Sequence, residues 1–85
     1  MNVQDWIAIA KIRMPQATMM DSAKLCLDES VKRSSEGNDL AALRWACKSL
    51  AYSVGIFSPE WAKLDTEIGD LEGSTIYTRV VEASL

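Results

Sequence analysis

The chain is predicted to be all-α: a small bundle of four to five short helices packed around a central apolar helix at about residues 39–54. Three observations predict this. Leu40, Leu43, Cys47, Leu50 and Val54 recur at alternating steps of three and four, the spacing of one helix face. Trp45 and Tyr52 form a second stripe, and Ala41, Ala42, Ala46 and Ala51 fill much of the space between. A helix this apolar around its circumference needs neighbours on more than one face. Its ends are also marked: Asn38 or Asp39 can cap the start, and Gly55 can take the left-handed conformation that closes the last turn. Arg44, Lys48, Ser49 and Ser53 are expected to form its wet side.

The first helix starts at Asn2, with Asp5 as reciprocal capping partner. Val3, Trp6, Ile7, Ala10 and Met14 share its inner side, which Ile9 and Ile12 widen; the alternation Ile7-Ala8-Ile9-Ala10 also fits a strand. Pro15 disfavours helical geometry at Met14 and ends the segment. Thr18 or Asp21 is the expected cap of a second helix running to about Ser35. Met20, Ala23, Leu27, Val31 and Ser34 form its expected inner stripe, with Cys26 beside it. Asp28–Lys32 and Glu29–Arg33 are acid-before-base pairs one turn apart. The short turn Ser34–Gly37 implies that the central helix runs antiparallel to the second.

Ser58-Pro59-Glu60 is a helix start: a serine cap, proline at the first helical position and an acid in the first turn. Phe57 is expected to staple onto Ala62. Trp61, Leu64, Ile68 and Leu71 follow at helical spacing, and Gly73 is expected to stop the helix. Residues 74–85 mix strand formers with a helix-like repeat of Ile76, Tyr77, Val80, Val81 and Leu85, and a fifth helix is favoured over a strand.

One domain over residues 1–85 is expected. A domain of this size buries roughly 60% of its unfolded surface, so its stability margin is narrow and self-association would add to it. The net charge is -3, with a balance of +1 from Met1 to Lys48 and -4 from Ser49 onward. That acidity argues against nucleic acid, which needs a basic footprint. Lys24, Lys32, Arg33, Arg44 and Lys48 form a basic group, but the helix after the Ser34–Asn38 turn is too apolar to lie in a DNA groove. No apolar run approaches the ~20 residues of a membrane span. Cys26 and Cys47 fall at apolar helix positions, and the N-terminal stretch lacks a basic start before its apolar run, so two reduced thiols in a cytoplasmic protein are expected.

The chain has no histidine, which removes the commonest general base and metal ligand. The four glycines are scattered and build no phosphate loop. No cofactor and no metal are therefore expected, and no spacing selects a catalytic pair of carboxylates. Asp65, Glu67, Asp70 and Glu72 read first as a solvated helix side and second as an acidic patch for a basic partner surface. Trp6 and Trp61, each near a helix start, read first as closing the ends of the bundle and second as interface anchors. Trp45 is expected in the core, and Met14, Met19 and Met20 as adaptable filling. The expected role is a small protein–protein interaction module of the adaptor, inhibitor, immunity or secretion-chaperone kind. It would dock through its acidic C-terminal half, with Asp65, Glu67, Asp70, Glu72, Trp61 and Trp6 as candidate contacts. The alternative is a self-assembling homo-oligomer such as a dimer; a DNA-binding regulator or a carboxylate enzyme ranks lower.

Overall fold

A computed structural model describes residues 2–17 and 19–72. The architecture is all-α: α1 (Val3–Arg13), a 3-10 turn (Met14–Gln16), α2 (Met20–Ser35), α3 (Asp39–Ser53) and α4 (Pro59–Ser84). Helix α4 is described through Glu72; the expected stop at Gly73 and the choice between helix and strand over 74–85 lie outside the described residues, as does Thr18. No strand occurs among the described residues.

Local chemistry accounts for most helix ends. Asn2 and Asp5 form the reciprocal capping box, with Asp5 N–H donating to Asn2 Oδ1 at 2.9 Å and Asn2 N–H to Asp5 Oδ2 at 3.1 Å. Asn38 caps α3 by accepting from the Ala41 N–H, and Ser58 caps α4 by accepting from the Trp61 N–H. Pro15 sits in the 3-10 turn that follows α1. Helix α2 differs from expectation: it begins after Met19 with no side-chain cap, and Asp21 lies inside its first turn, where its charge faces the helix dipole favourably. Its other end closes through Gly37 at φ +79°, with Asn38 N–H reaching Arg33 O and Gly37 N–H reaching Ser34 O. These are the paired bonds of a Schellman turn, and they send the chain back along α2. Gly55, at φ +87°, closes α3 with its N–H on Leu50 O.

Helix α3 is the hub. Trp6, Ile7 and Ala10 of α1, Leu27 of α2, and Leu64 and Ile68 of α4 join Leu43, Ala46, Cys47 and Leu50 of α3 in one buried cluster. Removing that apolar surface from water is the main force holding the four helices together. Polar ties fix the outer helices. Trp6 pairs with Glu67 and Arg13 with Glu60, which sets α4 antiparallel to α1. Gln4 Nε2 donates to Ser34 Oγ at 2.8 Å, linking α1 to α2.

The tightest pairing is α2 with α3. Ser30 and Ser49 are both 0% exposed. Ser30 Oγ donates to the Ala42 carbonyl at 2.6 Å, and Ser49 Oγ donates to the Ala23 carbonyl at 2.8 Å. Each hydroxyl reaches across to the other helix's backbone, and the alanines at 23, 42 and 46 leave room for that approach. This corrects two sequence expectations. The inner face of α2 is Ala23, Cys26, Leu27 and Ser30, while Met20 and Val31 are exposed and Ser34 is only half-buried. Ser49 is buried and not on a wet side. Close helix contact selects small residues with satisfied hydroxyls over larger apolar ones. Two further expectations fail at the edges: Ile12 points to water, and Phe57, at 96% exposed, makes no staple on Ala62. Of the two expected α2 ion pairs, Arg33–Glu29 forms at 3.4 Å, and no Asp28–Lys32 pair is present among the described residues.

Replacing Ser30 or Ser49 by alanine is expected to lower stability by about 1 kcal/mol each, the usual net worth of such a bond. Ser49→Leu should cost more, about 1–3 kcal/mol, because the helices must move apart. Urea denaturation midpoints measure both; a Ser49→Leu chain as stable as the parent would disprove the close approach.

Candidate functional site

Among the described residues, helix α3 presents one face that stands open between α2 and α4. Trp45, Lys48 and Tyr52 lie along it at steps of three and four, with Trp45 and Ala51 half-buried and Lys48 and Tyr52 exposed. The Lys48 ammonium sits 4.5 Å from the centroid of the Trp45 ring, a cation–π contact that holds the lysine stem along the helix. This ridge divides two shallow apolar grooves.

The larger groove, of about 540 Å³, runs between α3 and α4. Arg44, Trp45 and Lys48 line its α3 wall, and Trp61, Asp65 and Glu72 line its α4 wall. Cys47 and Ile68 lie at its base and Ile56 at one end. Arg44 closes the other end by pairing with Glu72, its Nε donating to Oε1 at 2.9 Å. The smaller groove, of about 400 Å³, lies on the α2 side of the ridge and includes Leu25, Cys26 and Tyr52. Leu25 is 65% exposed, and Ile56 and Tyr52 are also well exposed, so the apolar surface spans both grooves.

The six candidate contacts read from sequence separate into three groups. Trp61 and Asp65 line the larger groove together with Glu72. Trp6 is 1% exposed and its indole Nε1 donates to Glu67 Oε2 at 2.6 Å, so these two serve the α1–α4 joint. Asp70 is exposed and is not part of the groove lining. Half of the acidic set is therefore engaged inside the fold: Glu67 by Trp6 and Glu72 by Arg44. Sequence reasoning also missed Trp45, which it placed in the core. The signal for it was Lys48: a lysine between two aromatics on one helical stripe marks a face that meets water.

The two thiols lie beneath this surface. Burial pushes the Cys47 thiol up to about 11, and the negative charge of Asp65 adds to the shift. Burial also raises the Cys26 thiol, offset in part by Lys48. Both cysteines are free and buried, so neither is a ready nucleophile. Among the described residues, no group of three or more His, Cys, Asp or Glu side chains converges to hold a metal ion. None of their helices is long and apolar enough to cross a membrane. No protein-family model, no curated protein and no solved structure matches this chain.

A double-mutant cycle of Trp6→Phe and Glu67→Ala should return a coupling of about 1.5–3 kcal/mol, as for a hydrogen bond to a charged acceptor. Coupling near zero would remove this tie. Cys47 has a folded pKa above its ordinary 9.0, so the unfolded chain loses this proton first and stability should fall as pH rises from 9.0 to about 11. Cys47→Ala should flatten that decline in denaturation curves; an unchanged slope would exclude the thiol as its source.

Proposed function

We propose that this chain is a protein–protein interaction module that docks through the α3–α4 groove, taking an apolar partner surface that carries a cation toward Asp65. One observation carries the reading. Trp45, Trp61 and Ile56 line one open groove, and Leu25, Tyr52 and Trp45 line the adjoining one, so apolar surface gathers on one side of the bundle outside the buried cluster, with Trp61 packed at its margin. Aromatic side chains in a concave, partly desolvated setting are the usual source of binding energy in protein interfaces. Charge at the rim selects the partner more than it strengthens the complex. Asp65 supplies that charge, because Glu72 is already neutralised by Arg44. This narrows the acidic C-terminal half to one exposed carboxylate at the groove, with Asp70 further along α4.

A photo-cross-linking side chain placed at Leu25 or Ile56, in the cell that makes the protein, should give protein adducts. The same group at Ala8 or Gln16, exposed but outside the grooves, should not. Adducts at all four positions alike, or at none, would refute the docking reading.

A further inference from the structure

We infer that the occupant of the α3–α4 groove is the same groove of a second copy of this chain, related by a two-fold axis lying along it. This rests on the docking reading above and names its partner. The two rims carry opposite charge: Lys48 stands on the α3 wall and Asp65 on the α4 wall, while Arg44 and Glu72 are already paired with each other. A rotation about an axis along the groove lays the α3 wall of one copy on the α4 wall of the other. Basic rim then meets acidic rim twice, and apolar lining meets apolar lining, which is the self-complementarity that an isologous dimer requires.

The register along the groove also fits. The Arg44–Glu72 pair ties the walls together at one level within each chain. From there Lys48 lies one turn along α3, and Asp65 lies two turns back along antiparallel α4, so the two stand within about one turn of the same level. The groove keeps them apart within a chain, and among the described residues neither belongs to an ion pair. The two-fold brings Lys48 of each copy to Asp65 of the other, within the swing of a lysine side chain. A foreign protein would need its own cation and anion in that order; a second copy has them already.

The test uses charge reversal and sedimentation equilibrium on the purified chain, with circular dichroism confirming that each variant is folded. The parent chain should form a dimer. Lys48→Glu makes both facing pairs acid on acid, and Asp65→Lys makes both base on base, so each alone should weaken association at least tenfold. An equal mixture of the two variants should recover a dimer containing one of each, because both pairs are then attractive. Ile56→Glu, which puts a charge into the apolar lining, should also abolish the dimer. A parent chain that stays monomeric to about 1 mM overturns the inference. So does a dimer indifferent to both reversals, or a mixture that fails to pair. Groove-confined cross-links to a different protein, with a monomeric parent chain, would overturn this inference alone and leave the docking reading standing.

Discussion

The close contact between α2 and α3 is the constraint on which the rest depends. Two buried serines, each donating to a carbonyl of the opposite helix, fix both the separation and the rotation of the pair. A hydroxyl buried without an acceptor would be costly, so neither helix can turn about its axis without losing its bond. The rotation of α3 decides everything that follows. With Ala42, Ala46 and Ser49 against α2, the Leu43, Cys47 and Leu50 side must face α1 and α4. Among the described residues, the stripe of Trp45, Lys48 and Tyr52 is then left on the open side of the pair, with Trp45 half-buried.

Helix α4 is held by fewer apolar residues and by more polar ones. Leu64 and Ile68 are its buried anchors, and Trp61 packs at the margin of the core. Glu60 and Glu67 reach α1, through Arg13 and Trp6, and Glu72 reaches α3 through Arg44. Exposed ion pairs are individually weak. Their combined effect here is orientational, since they set which side of α4 faces α3 and therefore how wide the groove stands. The acidic character of the C-terminal half serves the fold as much as the surface.

These two features together shape the open groove between α3 and α4. The α2–α3 contact leaves a partly buried aromatic face on the open side, and the ion pairs of α4 leave Asp65 at its edge. A small chain with a narrow stability margin gains by covering such a face, whether with another protein or with itself. Buried thiols under the groove contribute apolar packing there, and burial raises both above the ordinary thiol range.

Much of the fold was legible along the chain. The capping box at Asn2 and Asp5, the caps at Asn38 and Ser58 and the left-handed close at Gly55 all depend on residues within one turn of each other. The helical class and the central place of residues 39–54 followed from apolar spacing within single segments. The candidate site was legible only in part: Trp61, Asp65 and Glu72 were singled out, Trp45 and Lys48 were not. The choice of Ser30 over Val31 for the inside of α2, the full burial of Trp6 and the half-buried place of Trp45 were decided by tertiary structure. So were the uses of Glu67 and Glu72. Periodicity states that a helix has an apolar side and roughly how wide it is; which few degrees of that side lie innermost depends on how closely the neighbouring backbone can come. Similarly, a carboxylate is free or engaged according to the donors that distant segments bring to it, and no local pattern of residues encodes that.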